Sequence, residues 1–158
     1  AEEFASRLAG RIPGARLRML DDVSLAELSA ARDAVVVTST FGDGGPPDNG
    51  ADFWTRLTAA DAPPLTGVRY AVLGIGDRAY ENFCGYAKSL DRRFGELGAM
   101  PLLTRSDCEA YDDEPLARWA DAVTDLLAET DERAVPAKPA VPVKPAAPKP
   151  ACTNPLYC

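Results

Sequence analysis

Histidine is absent from the 158 residues. That absence removes every nucleophile activated by an imidazole, the Ser-His and Cys-His pairs alike. Cysteine is sparse, with one each at positions 84, 108, 152 and 158, and no two of them form a Cys-x-x-Cys. Such spacing argues against a structural zinc site and against a secreted disulfide scaffold; it leaves reduced thiols in a cytoplasmic protein as the expectation, with no metal. No apolar run approaches the roughly 18 residues that mark a membrane-spanning helix, so no membrane contact is expected. The chain opens Ala-Glu-Glu-Phe, with neither an initiator Met nor a targeting segment, and is expected to be a piece of a longer protein. If such a domain does chemistry, a cofactor carries it.

What is present suits one domain with a real core: 46% of the residues are hydrophobic, an ordinary share. The charge is spread unevenly. All 24 acids lie in residues 1–133 beside 14 of the 17 bases, a net charge of −10 (14 minus 24), while the remaining residues carry three Lys and no acid. An acidic surface repels phosphates and argues against nucleic acid. It favours a basic protein partner.

Strand and helix signals alternate along the chain. Phe4 and Leu8 share a helical face before Gly10. A short strand is expected at Arg16–Met19, a helical turn at 24–32, and a β-branched strand at Ala34–Thr38. A helix follows from about Asn49 to Ala60, with Phe53, Trp54 and Leu57 inward, until "APPLTG" breaks it. Arg69–Asp77 reads as a second buried strand. Tyr80, Phe83, Cys84, Ala87, Leu90, Phe94 and Leu97 then recur at helical spacing, and Gly98 stops them. Met100–Thr104 is a third strand, and Pro115 opens a last helix with Leu116, Trp119, Ala120, Val123, Leu126 and Leu127 on one face. This alternation predicts an α/β, doubly wound parallel sheet covered on both faces. From Ala134 to Pro150 the chain is six Pro, three Lys and otherwise Ala and Val, an extended C-terminal tether of roughly 50 Å.

In an open α/β sheet, ligands sit at the carboxyl ends of the strands. Three loops belong there: "STFGDGG", "GIGDRAYENFC" and "RSDCEAYDDE". They offer glycines, hydroxyls and aromatics, contain no Lys and have at most one Arg each, a set suited to a flat, neutral, hydrogen-bonding ring. "STFGDGGPPDNG" and "YAVLGIGDRAYENFCGYAKSLDRRFGELGA" together resemble the FMN-binding, flavodoxin-like domain of the diflavin reductases, nearest to the flavoprotein component of sulfite reductase. The resemblance covers nearly all of residues 1–130.

The resemblance implies that Ser39, Thr40, Phe41 and Gly42 line one side of the flavin ring. Ile75, Gly76, Asp77, Arg78, Ala79, Tyr80, Glu81, Asn82, Phe83 and Cys84 would line the other, with Tyr80 stacked on the isoalloxazine and Asp107 approaching the same ring. Phe41 stands where relatives often have Tyr or Gln. A free-turning peptide at Gly42 would let its carbonyl accept a hydrogen bond from flavin N5. Asp43, Asp77, Asp107 and Glu109 would disfavour the extra negative charge of the reduced flavin. No side chain is implied to act as acid or base. The implied role is electron transfer in an NADPH-dependent oxidoreductase, from FAD through FMN to a haem or metal acceptor such as a sulfite reductase subunit. The implied partners are the FAD/NADPH-binding domain of the same parent chain and the basic face of that acceptor. The implied layout is a flavodoxin-like domain at 1–133, a linker at 134–151 and the start of the FAD/NADPH-binding domain at 152–158.

The family's first strand and the loop that cradles the FMN phosphate have no counterpart in these residues. In the 2-1-3-4-5 order that strand is central, so a gap between the second and third strands is expected, with weak FMN binding or none and no activity from the isolated chain. A cofactor-free flavodoxin-like module that binds proteins is the alternative reading. A phosphorylation-dependent receiver shares the strand order but needs an Asp where this third strand ends Thr38-Ser39-Thr40.

Overall fold

The computed structural model describes residues 1–133, so the expected linker at 134–151 and domain start at 152–158 lie outside the described residues. The elements in chain order are α1 (Glu2–Ala9), α2 (Leu25–Ala30), β1 (Asp33–Ser39), α3 (Ala51–Thr58), β2 (Arg69–Gly76), α4 (Gly85–Glu96), β3 (Met100–Pro101), β4 (Ser106–Glu109) and α5 (Asp113–Arg133). Single 3-10 turns precede α2 at Leu20–Asp22 and α3 at Asp48–Gly50. No described helix is long and apolar enough to cross a membrane.

The sheet is parallel throughout, and β2 is its centre. β1 pairs with β2 from Asp33 opposite Arg69 to Ser39 opposite Ile75. On the far side β3 pairs with Arg69 and Tyr70, and β4 with Leu73 to Gly76. The Asp33 carboxylate accepts from Arg69 Nε at 2.7 Å, so an ion pair marks the register where the two long strands begin. β2 is apolar because it is covered on both faces. Tyr70 and Val72 face a layer with Phe53, Leu57, Tyr86, Leu90 and Phe94; Ala71, Leu73 and Ile75 face a layer with Leu8, Leu116, Trp119 and Val123. Thus α2, α3 and α4 cover one face, and α1 and α5 the other. Each fully buried Leu or Phe in these layers contributes about 1.5–3 kcal/mol.

Three expectations fail on local chemistry. Arg16–Met19 is not a strand: the segment leads into the first 3-10 turn without pairing, and Leu17 and Met19 are exposed. A strand needs a neighbour to take its N–H and C=O groups, and β1 pairs only with β2 among the described residues. The helix expected from Tyr80 starts at Gly85, because Cys84 sits at φ 52° and interrupts the helical path. The strand expected at Met100–Thr104 holds only as β3, and β4 forms inside "RSDCEAYDDE", which was expected to be loop, with Leu102–Arg105 in neither. Leu102 N–H still reaches Tyr70 O at 2.7 Å, so the break opens just beyond it.

Gly74 shows how closely α4 lies on the sheet. A Cβ there would stand 2.7 Å from Ala87 Cβ and 2.9 Å from Cys84 Cβ, whereas one at Gly95 would meet nothing within 4 Å. Gly74→Ala is therefore expected to destabilise the chain by roughly 1–3 kcal/mol through overpacking. Gly95→Ala is expected to stabilise it by about 0.5–1 kcal/mol, because it removes unfolded-state freedom within a helix. Urea unfolding of the two variants checks both signs.

Candidate functional site

The carboxyl ends of β1, β2 and β4 lie side by side, so the loops that follow them form one edge. The first loop closes on itself: Phe41 N–H donates to Gly45 O at 3.0 Å and Gly45 N–H to Phe41 O at 2.9 Å. Gly42 and Gly44 take φ values of 54° and 100° inside it, which glycine adopts without steric cost. Phe41 is 68% exposed.

The second loop, residues 77–84, is built on Asp77. Its side chain accepts from Ala79 N–H at 2.8 Å and its carbonyl from Tyr80 N–H at 3.2 Å, which turns Tyr80 outward to 63% exposure. At the end of the loop Gly85 N–H bonds Asn82 O at 2.9 Å, and Lys88 Nζ holds Phe83 O at 2.6 Å.

The two loops interlock. Asn82 Nδ2 donates to Asp43 O at 2.9 Å. A Cβ on Gly85 would fall 2.8 Å from Gly44 Cα, and one on Gly44 would fall 3.0 Å from Asn82 Cβ. This approach of two backbones requires glycine on both sides. Thr40 Oγ1 accepts from Tyr86 N–H at 3.3 Å and so satisfies a first-turn donor of α4.

The third loop follows β4. Glu109 N–H donates to Asp112 Oδ2 at 3.1 Å, and Tyr111 is 93% exposed. Arg78 bridges from the second loop: its Nε meets Glu109 Oε2 at 3.2 Å, and its guanidinium lies 4.9 Å from the centre of the Phe83 ring. Asp107 is held by Arg105 through Nε at 2.9 Å and Nη2 at 3.2 Å. Two of the four acids expected to place negative charge on a ring, Asp107 and Glu109, are thus paired with arginines.

All fifteen residues expected at the site lie on or beside this edge, but they present different atoms to it. Ser39, Thr40, Phe41 and Gly42 form the start of the first loop. Gly76, Asp77, Arg78, Ala79, Tyr80, Glu81 and Asn82 continue from the end of β2, with Asp77 to Asn82 exposed. Ile75 turns its side chain into the layer with Leu116 and Trp119, so toward the opposite face it presents backbone. Cys84 is 0% exposed, and its Sγ lies 3.1 Å from where a Gly74 Cβ would stand and 3.0 Å from where a Gly76 Cβ would stand. Burial, and then the charge of Asp107, push the Cys84 thiol up to about 11. Sequence reasoning passed over Gly44, Gly85 and Arg105. A signal existed for the last, since residues two apart on a strand share a face and Arg105-x-Asp107 is such a pair.

A family profile described as "Flavodoxin" matches residues 1–124. The chain belongs to the flavodoxin family. This flavodoxin-family chain is 35% identical over 137 residues to the sulfite reductase (NADPH) flavoprotein alpha-component of Bacillus subtilis, a match covering 87% of this chain and 23% of that protein. The protein of the same description from Neisseria meningitidis serogroup B is 36% identical over 143 residues, covering 87% and 24%. The chain therefore spans about a quarter of the length of these curated relatives. Among solved structures, the flavodoxin of Streptococcus pneumoniae TIGR4 superposes with a TM-score of 0.70 at 30% identity, covering 81% of this chain and 90% of that one. Oxidised flavodoxin 1 of Bacillus cereus gives 0.67 at 25% identity, covering 81% and 88%. The flavodoxin-like parallel α/β fold expected from the sequence is borne out.

Two outcomes follow from the geometry. Gly85→Ala is expected to force the first two loops apart and to speed amide exchange at Phe41 and Gly45 at least tenfold, with little change along β2; exchange measured by NMR decides. Cys84 is raised from an ordinary 9.0 to about 11 by folding, so its contribution to stability is complete below about pH 9 and is lost as pH rises toward 11. Unfolding of wild type and Cys84→Ser between pH 8 and 11 is expected to show a shallower decline in the variant.

Proposed function

We propose that this domain holds the isoalloxazine ring of FMN between the Phe41 and Tyr80 loops and carries electrons within a larger NADPH-dependent diflavin reductase. The observation that supports it is the interlocked pair of loops with one exposed aromatic on each, Phe41 and Tyr80, at the carboxyl edge of a parallel sheet. When bound, FMN supplies one-electron redox chemistry that no side chain here provides. The protein's own part is to stack on the ring, to keep its edge reachable and to set the charge around it. Peptide groups between Phe41 and Gly45 in the first loop would offer hydrogen bonds to the ring heteroatoms, and the second loop would supply Tyr80.

The described residues fit the ring but not the phosphate. An anion is best held at a helix N-terminus with free N–H groups. α1 opens on Glu2 and Glu3, α3 has Asp21 Oδ1 already on Phe53 N–H at 2.8 Å, and α5 opens on Asp113 and Glu114. At α4 the Tyr86 N–H is taken by Thr40. These occupied or acidic helix starts support weak phosphate binding by the described residues. The outer edge of β1 is unpaired among the described residues.

The wider role follows the relatives: electrons arriving from an FAD- and NADPH-binding domain of the same parent chain and leaving to a haem or metal acceptor such as a sulfite reductase subunit. The net charge of −10 over residues 1–133 suits a basic docking face on that acceptor.

If the ring is held and the phosphate is not, FMN and riboflavin bind this chain weakly and within about threefold of each other. Tyr80→Ala weakens both by about two- to tenfold, the stacking contribution of one aromatic. Quenching of flavin fluorescence measures both. FMN binding a hundredfold tighter than riboflavin contradicts the weak phosphate binding, and no binding of either contradicts the function.

A further inference from the structure

Arg105 occupies the break between β3 and β4 and touches two carboxylates on different elements. Its Nε and Nη2 hold Asp107 of β4 at 2.9 and 3.2 Å, and its Nη1 holds Asp91 of α4 at 2.9 Å. Asp91 is in turn fixed by Tyr70 of β2, whose hydroxyl lies 3.0 Å from Asp91 Oδ1. The three charged side chains are 20–28% exposed, so water screens this cluster less than a surface pair. The fork of a guanidinium suits such bridging, and a lysine's single ammonium does not reproduce it.

The cluster adjoins the candidate site. Asp107 sits opposite Gly74 in the register, one residue before Cys108 and two before Glu109, which binds Arg78 of the second loop. Its charge also reaches the buried Cys84 at the start of α4. An unpaired Asp107 would leave a full negative charge two residues short of the end of β2, where the second loop begins. The bidentate bond to Arg105 offsets that charge, and Asp91 competes for the same cation from behind.

We propose that Arg105 is a positioning residue that acts through Asp107: it fixes the Asp107 carboxylate against β4 and offsets its charge, and so sets how well the site tolerates a negatively charged ring. The proposal rests on the flavin reading above. It also sorts the acids of this edge. Asp107 and Glu109 are compensated by Arg105 and Arg78, and the discrimination against an anionic ring falls to the exposed Asp43 and Asp77.

Oxidised and dithionite-reduced FMN are the probes, titrated anaerobically at about pH 8, where the reduced ring bears the additional negative charge. Both carry the same phosphate, so the ratio of their affinities reports the ring's surroundings. Arg105→Gln is expected to weaken binding of reduced FMN on the order of fivefold more than that of oxidised FMN, the size expected for one screened charge nearby. Asp107→Asn and Asp91→Asn are expected to move the ratio the opposite way, and Arg105→Lys to restore part of it. Urea unfolding of each variant separates loss of fold from loss of charge. Equal weakening of both forms by Arg105→Gln, or Asp91→Asn and Asp107→Asn shifts in the same direction as Arg105→Gln, overturns the proposal while leaving the flavin reading intact. Failure of the wild-type chain to bind either form overturns the flavin reading, and the proposal with it.

Discussion

Gly44 and Gly85 meet backbone to backbone, and the shape of the carboxyl edge of the sheet depends on that meeting. A Cβ on Gly85 would fall 2.8 Å from Gly44 Cα, and the bonds that tie the first loop to the segment Asn82–Tyr86, from Asn82 to Asp43 and from Tyr86 to Thr40, require the approach that the glycines allow. The contact in turn needs α4 to begin where it does. Gly74 and Gly76 of β2 leave room for the Cys84 thiol, and Cys84 turns the chain through its left-handed conformation into the helix. Small residues on the central strand, close docking of one helix and the locking of two loops form one chain of cause.

The electrostatics of this edge follow from pairing rather than from composition. A net charge of −10 over 1–133 suggests a site flooded with negative charge. At the loops, however, Asp107 and Glu109 each face an arginine. Under the proposed electron-carrier role the unevenness matters, because the long-range field would steer a basic partner while the local field would set how readily the site accepts another electron. The two are set by different residues and can be tuned apart.

Much of the fold was legible. The β-branched run ending in Thr38 and the run Arg69–Asp77 announced buried parallel strands, and their glycine-rich sequels pointed to the carboxyl edge as the candidate site. The misreadings share one cause: pattern reports which way a side chain points, not whether the backbone finds a partner. Phe83 and Cys84 continue the inward spacing of α4, yet they belong to the loop, since both pack over β2 without helical backbone. Arg16–Met19 has the alternation of a strand and no described neighbour to pair with. For the site, the loops could be named from residue types. The Arg105–Asp107 pair, two residues apart, was within reach of the sequence, but the pairing of Glu109 and of Asp91 was not, because Arg78 reaches Glu109 across 31 positions and Arg105 reaches Asp91 across 14. Such pairs exist only once the sheet has set its register.

The proposed slot for a planar ring lies between the loops of Ser39–Gly45 and Asp77–Cys84. Amide chemical-shift mapping of the chain with lumiflavin, which carries the ring and no phosphate or ribityl chain, tests it most directly. The shifts are expected to concentrate in those two loops and the residues after Asp107, with Phe41 and Tyr80 among the largest. Shifts centred instead on the hollow of Trp54, Thr58 and Arg92, or no shifts at saturating ligand, would contradict it.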